Sequence, residues 1–230
     1  MIVRLHTVAE GQTEETFANA VLRPHLAERS IFLDIRCIET GRRKGKVFRG
    51  GLARYQKLKA DLKRWMREDS APEAWFTTMV DLYGLGRLQD EFPGYEESLM
   101  IREPHLRVDR IERKFADDIN HPRFIPYVQL HEFEALLLAK PEAFRDEFSG
   151  SGDQTKKLIE MVAGFDSPEL VNDGDGTAPS KRITALFPSY SGQKVSVGPR
   201  LAAKIGLPLL RQKCKHFGHW IDRIETLAVL

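Results

Sequence analysis

The apolar run Ile2 to Val8 is followed at once by Glu10-Gly11-Gln12-Thr13-Glu14, and this junction constrains the fold more than any other part of the chain. An open α/β sheet presents its ligands where strands end and helices begin. An apolar strand that stops at a carboxylate, turns on a glycine and enters a polar helix start places charge at that edge. The same pattern recurs at Ala74 to Val80, a second apolar run that stops at Asp81.

The intervening segments alternate in kind. A helix is predicted from about Thr13 to Leu22, with Thr13 as N-cap and Glu14 and Glu15 suited to its positive end. Pro24 restarts a short helical piece. Ile31 to Ile38 reads as a strand leading into a basic loop, Gly41-Arg42-Arg43-Lys44-Gly45-Lys46. Leu52, Tyr55, Leu58, Leu62 and Trp65 recur at spacings of three and four, which predicts an amphipathic helix with Arg54, Lys57, Lys59, Lys63 and Arg64 on its other face. After Asp81, Leu82-Tyr83-Gly84-Leu85-Gly86 reads as a loop, and an acidic, helix-prone stretch then runs to Ile119. A fourth strand is predicted from Phe124 to Val128, running into Gln129-Leu130-His131-Glu132-Phe133-Glu134-Ala135-Leu136. Strands joined by long helical crossovers imply a mostly parallel sheet flanked by helices. Beyond Lys140 the strand signals fade. Short helices are expected at Pro141 to Phe148, Thr155 to Val162 and Pro199 to Ile205. We therefore expect an α/β domain over residues 1–140 and a small helical C-terminal extension, residues 141–230, packed on it.

The whole chain excludes several classes. Its 230 residues, 42% hydrophobic and 30% charged, suit an ordinary globular protein with a sizeable core. No apolar run reaches membrane-spanning length. The amino terminus enters a strand at once without the order of a secretion signal, so a cytoplasmic protein is expected. Cys37 and Cys214 are too few and too far apart for a disulfide framework or a zinc site.

Net charge is only +2, but its distribution is uneven. Eleven Lys and Arg residues lie between Arg42 and Arg67 against the single acid Asp61. From Gly176 to Ile221 there is no acid, while Lys181, Arg182, Lys194, Arg200, Lys204, Arg211, Lys213 and Lys215 are basic. The compensating acids crowd between Asp81 and Glu147. Such segregation fits contact with a polyanion, and it also fits basic faces that are merely solvated.

The carboxyl ends of parallel strands face one crevice, so Glu10 and Asp81 are expected side by side. Two carboxylates there can share a hard cation such as Mg²⁺, with Glu132, Glu134 and Glu14 as further ligands. Plainer roles exist for each. Glu14 suits a helix dipole, Asp81 suits a turn, and one of His131, Glu132 and Glu134 is readily explained as a cap or surface residue. Tyr83, His216 and His219 read more simply as packing or surface side chains than as catalysts.

Glu10-Gly11-Gln12-Thr13-Glu14 and Val80-Asp81 resemble the two acidic motifs of the Toprim superfamily, found in topoisomerases, primases and overcoming-lysogenization-defect (OLD) type nucleases. Together with Gln129 to Leu136, Ala178-Pro179-Ser180-Lys181-Arg182 and Cys214-Lys215-His216-Phe217, the chain resembles a bacterial domain-of-unknown-function family assigned to that superfamily. The resemblance implies a Toprim-like fold and a Mg²⁺- or Mn²⁺-dependent reaction on nucleic-acid phosphodiesters, with Glu10 as metal ligand and acid or base. Relatives of this type are often encoded beside ABC-type ATPases and implicated in phage defence, which implies an ATPase partner. The chain has no phosphate-binding Gly-x-x-x-x-Gly-Lys loop of its own. Where the superfamily carries a second aspartate, this chain has Tyr83. Either Glu132 or Glu134 replaces that ligand, or metal binding is weak or absent.

The leading expectation is a metal-dependent nuclease of DNA or RNA. Glu10, Asp81, Glu132 and Glu134 would hold the metal, and Glu14 and Lys181 would complete the catalytic group. Lys181 and Arg182 would hold phosphates near the site, and Arg42, Arg43, Lys44 and Lys46 would contact the backbone more generally. Water is the expected nucleophile, with covalent attack by Tyr83 as a lesser route. Two other readings remain: a non-catalytic nucleic-acid-binding or regulatory subunit, and a phosphoryl-transfer enzyme acting on a small nucleotide.

Overall fold

The computed structural model describes residues 2–43, 46–49, 51–88, 90–172 and 176–228, with side chains described outside residues 39–50. A parallel sheet lies at its centre, in the order β2-β1-β5-β6, with β7 also paired to β5. The strands are β1 (Val3–Ala9), β2 (Ile31–Cys37), β5 (Ala74–Asp81), β6 (Phe124–Ile125) and β7 (Val128–Gln129). Helices cover both faces, so the central strands β1 and β5 are buried along nearly their whole length. β1 still carries Arg4 and His6. Both reach Asp69, Arg4 through Nε at 2.8 Å and Nη2 at 2.9 Å and His6 through Nε2 at 2.7 Å, which lets polar side chains stand in a covered strand.

The fourth strand is broken, and its sequence explains the break. Pro126 has no N–H to give a ladder, and the backbone of Tyr127 turns instead to the side chain of Thr78. The Thr78 hydroxyl donates to the Tyr127 carbonyl at 2.9 Å and accepts its N–H at 3.1 Å. Thr77 does similar work one residue earlier, donating to the Ile125 carbonyl at 2.6 Å. Past the break β7 rejoins the sheet, with Val80 opposite Val128 and Asp81 opposite Gln129.

The first helical segment is not one regular helix. α1 (Gln12–Phe17) begins after an extended Gly11, so Thr13 lies inside the helix and is not its cap. A π-turn (Ala18–Leu22) and α2 (Arg23–Ala27) follow without a gap. The expected basic loop is an antiparallel hairpin of β3 (Glu39–Arg43) and β4 (Lys46–Arg49). Lys44 lies outside the described residues, as do the side chains of Arg42, Arg43 and Lys46, so that group of phosphate contacts has no structural account.

α3 (Tyr55–Glu68) fits its periodicity, burying Tyr55, Leu58, Leu62 and Trp65. Leu82-Tyr83-Gly84-Leu85 is a helical turn, α4, and not a loop. α5 (Tyr95–Ser98) and α6 (Pro104–Ile119) follow, the latter capped by Glu103 and ended by Asn120 in the left-handed region that tolerates asparagine. The C-terminal third is helical: α7 (Glu134–Leu137), α8 (Ala143–Glu147), α9 (Gly152–Val162), α10 (Pro179–Leu186), α11 (Lys194–Ile205), α12 (Leu207–Lys213) and α13 (Lys215–Glu225). α11 starts five residues before the expected Pro199 and runs through it.

Two apolar clusters flank the sheet. One packs α3 and α6 against Val8, Phe76 and Val80. The other joins Leu5 and Phe17 to Phe133, Leu201, Phe217 and Ile224, so the C-terminal helices share a core with β1 and α1. Phe17 meets Phe133 and Phe217 at ring centroid distances of 5.4 and 6.1 Å. α13 is fixed to the sheet by Trp220, which stacks on Tyr127 at 4.1 Å and donates from Nε1 to the Thr77 hydroxyl at 2.9 Å.

Candidate metal centre

The register of β1 against β5 places Ala9 opposite Met79, and the Glu10 N–H donates to the Met79 carbonyl at 2.9 Å. Glu10 therefore emerges beside Asp81. Its carboxylate accepts the Asp81 N–H at 2.9 Å and a backbone hydrogen bond at Leu52. A methyl group on Gly84 would lie 3.4 Å from Glu10 Oε1, so this turn lets backbone approach the carboxylate closely.

Three further acids surround the pair. Glu14, buried in the first turn of α1, accepts the Gly11 N–H at 2.9 Å. Glu132 sits just past β7 and accepts the Ser180 N–H at the start of α10 at 2.9 Å. Glu134, also buried, accepts from the Tyr190 hydroxyl at 3.3 Å and pairs with Lys194 at 3.1 Å. Neither Tyr190 nor Lys194 was expected at this site. The signal for Lys194 was only its place in an acid-free stretch, and the pairing depends on α11 packing against α1 and α7.

Burial and mutual repulsion hold these acids toward protonation. Burial lifts the Asp81 carboxyl well above its usual range, and the charges of Glu10, Glu14, Glu134 and Glu132 add to it. Glu10 is raised by burial against its two backbone hydrogen bonds, and Glu134 by burial against Lys194. Burial, with the charges of Glu10 and Glu134, lifts Glu14 to about 7. Asp81 Oδ1 is buried with no hydrogen-bond partner among the described residues. An oxygen-only donor set around such an oxygen fits a hard cation such as Mg²⁺ or Mn²⁺.

Tyr83 lies on α4, next to the Gly84 that abuts Glu10. Its ring lines a neighbouring cavity and carries Arg87 at 4.3 Å. Lys181 is exposed in the first turn of α10, close in sequence to the Ser180 N–H on Glu132. Arg182 is held by its own loop, donating from Nε to the Thr177 carbonyl at 2.7 Å.

A second acidic group lies beside β7. Ligand atoms of Asp109, Glu112 and His216 fall within 4.8 Å of one another, close enough for one metal ion, whereas the sheet-edge carboxylates are not gathered so tightly. Hydrogen bonds already occupy this group. Glu112 accepts the Val128 N–H at 2.8 Å, and His216 Nε2 lies 3.0 Å from Glu112 and 3.1 Å from the Val128 carbonyl. A ring nitrogen that donates to a carbonyl has no lone pair to give a metal. His216 is thus a buried packing residue, while His219 is exposed.

A parallel sheet wrapped by helices, with five acids at the carboxyl ends of its strands, defines an α/β protein with an acidic sheet-edge site. The chain belongs to the family described as Domain of unknown function (DUF4276), whose model matches residues 9–225. No curated protein matches the sequence. In structure the chain is similar to the C-terminal region of the Burkholderia pseudomallei OLD protein, at 16% identity and TM-score 0.45, covering 97% of this chain and 100% of that one. It is also similar to the C-terminal region of the Xanthomonas campestris pv. campestris OLD protein, at 14% identity and TM-score 0.38, covering 96% of each. Among the described residues no helix is long and apolar enough to cross a membrane.

Proposed function

We propose that the chain is a divalent-metal-dependent nuclease whose centre is Glu10 and Asp81, with Glu14, Glu132 and Glu134 completing it. The observation that carries this reading is the unpartnered Asp81 Oδ1 in a cluster of five carboxylates, of which Glu134 is paired with Lys194. Burying that much like charge without a cation is costly, and sites that tolerate it are commonly functional.

Bound Mg²⁺ or Mn²⁺ would supply Lewis-acid stabilisation of charge on a phosphodiester oxygen and would lower the pKa of a water. The chain's own residues do the rest. The Asp81 and Leu52 N–H groups orient the Glu10 carboxylate. Glu14 is raised to about 7 in the metal-free chain, and a bound cation would lower it toward the carboxylate that can accept a proton from the attacking water, the role we give it. Lys194 holds Glu134, and exposed Lys181 is placed to meet a phosphate. The resemblance of the acidic motifs to the Toprim superfamily supports nucleic acid as substrate, an ABC-type ATPase as partner and a role in phage defence.

Purified protein incubated with single-stranded DNA, duplex DNA and tRNA tests this directly. Cleavage should require Mg²⁺ or Mn²⁺, stop in chelator and fall at least about a hundredfold in Glu10→Gln and Asp81→Asn. Cleavage that survives both substitutions would falsify the mechanism. Salt-sensitive binding with no cleavage under any metal would favour the regulatory-subunit reading, whose support is Tyr83 in place of a second aspartate.

A further inference from the structure

The stretch from Asp81 to Glu147 is where acids dominate the sequence, yet it builds a basic cavity. The cavity holds about 480 Å³ and is walled by Arg87, Arg102, Arg107, Tyr83, Tyr95 and His131. No carboxylate lines it among the described residues. Arg87 packs over the Tyr83 ring at 4.3 Å and Arg107 over the Tyr95 ring at 5.5 Å, so both guanidinium groups are held at the wall. Arg107 is steadied further by Nε donating to the Ser98 hydroxyl at 3.3 Å. Arg102 is exposed at the rim.

His131 adds a donor. Its Nδ1 lies 3.0 Å from the Asn172 side-chain nitrogen, and with the amide donating, the ring hydrogen falls on Nε2. That nitrogen is buried without a partner among the described residues. His131 is held in the left-handed region at φ 63°, a strained conformation for a non-glycine residue, and its carbonyl accepts the Tyr83 N–H at 2.9 Å.

The cavity and the carboxylate cluster share two walls. On α4, Gly84 abuts the Glu10 carboxylate while Tyr83 lines the cavity. Past β7, His131 lines the cavity while the adjacent Glu132 stands among the acids. Donors on one side of each wall and acceptors on the other separate an anion from a cation by one residue.

We propose that this cavity binds the phosphate group of a nucleotide, with Arg87, Arg102, Arg107 and His131 Nε2 as donors and the Tyr83 and Tyr95 rings as surfaces for the sugar or base. Its volume suits one nucleotide unit. Guanidinium groups are the usual partners of phosphate, and aromatic rings accept bases of any sequence. The inference deepens the nuclease reading, since it places one phosphate group beside the proposed metal centre, but the binding itself needs no metal.

The test uses the full chain in chelator, where no cleavage interferes. A ten-nucleotide DNA strand labelled at its 3′ end is titrated by fluorescence anisotropy with a 5′-phosphate and with a 5′-hydroxyl, and competed with a nucleoside 5′-monophosphate and with inorganic phosphate. If a strand's terminal phosphate is the occupant, the 5′-phosphate strand binds roughly tenfold tighter. If a free nucleotide is the occupant, the two strands bind alike and the monophosphate binds directly, with its own saturable signal in calorimetry. In either case Arg102→Gln and Arg107→Gln each lose about tenfold. Arg102 is exposed, so its substitution leaves the fold intact, which a thermal melt confirms. Equal affinity for both strands with no calorimetric binding of the monophosphate overturns the proposal, as does full binding by both arginine variants. Cleavage with neither 5′-phosphate discrimination nor monophosphate binding would sink the cavity and leave the nuclease; either kind of binding without cleavage would do the reverse.

Discussion

At the residue scale the acids of the sheet edge set a conflict between folding and function. Glu14 has its ordinary carboxyl value of 4.5 when unfolded and about 7 when folded, so the folded chain binds more protons between these limits. Stability of the metal-free protein must then fall as pH rises through that window, by up to about 3 kcal/mol for this group alone. Asp81, raised further and with an unpartnered oxygen, pulls the same way. Asp81→Asn is therefore expected to raise the melting temperature of metal-free protein at pH 8 by several degrees and to abolish the further rise that Mn²⁺ gives the parent chain. Calorimetric scans at pH 5 and 8, with Mn²⁺ and with chelator, measure both effects. Buried His131, lowered to about 4, adds stability as pH rises past its unfolded value, so the comparison is between chains: a gap between Asp81→Asn and parent in chelator that does not widen from pH 5 to pH 8 would sink this account.

At the element scale α13 depends on acids that have no place in the site. Glu169 is wholly buried, and its two carboxylate oxygens accept the His216 N–H at 2.9 Å and the Phe217 N–H at 3.0 Å. A carboxylate on the first turn satisfies two orphan donors and meets the positive end of the helix dipole. Glu169→Ala should cost about 2–3 kcal/mol, read as a lower urea midpoint at unchanged slope. His216 on the same turn is pulled down by burial, but its hydrogen bond to Glu112 and the charges of Glu112 and Glu169 leave it above its usual value. A raised imidazole stabilises below its unfolded value of 6.5 and loses that contribution as pH rises through the folded one.

At the scale of the whole molecule the apolar cluster that runs from Leu5 and Phe17 to Phe217 and Ile224 binds the helical C-terminal segment to the first half of the sheet. We propose that residues 1–140 and 141–230 are two parts of one cooperative unit. A fragment ending at residue 140 would expose Phe17, Phe133 and Tyr127, which now pack on residues beyond it. It should be insoluble or lack a cooperative transition, whereas the whole chain should unfold once, with tryptophan fluorescence and circular dichroism coincident. A soluble fragment with its own sharp melt would show the boundary to be a true domain edge.

The sequence by itself determined the strands that carry the site. β1 and β5 are largely apolar runs that stop at an acid, β2 alternates apolar and polar residues, and α3 announces itself by spacing, because local periodicity reports which face is buried. The neighbourhood of Glu10 and Asp81 follows from parallel order alone, since all strand ends then share one edge. α13 is legible by the same signal, since Phe217, Trp220, Ile221 and Ile224 recur at helical spacing. Tertiary structure decided the rest. The broken fourth strand depends on Thr77 and Thr78 reaching from β5 to the carbonyls of Ile125 and Tyr127. Lys194 meets Glu134 only because α11 packs against α7, and Arg87, Arg102 and Arg107, near one another along the chain, form one cavity only with His131 and Asn172 from further along it. Charge counted along a chain records composition, while charge in space depends on how elements pack, and here a segment read as acidic contributes the arginines of a basic cavity.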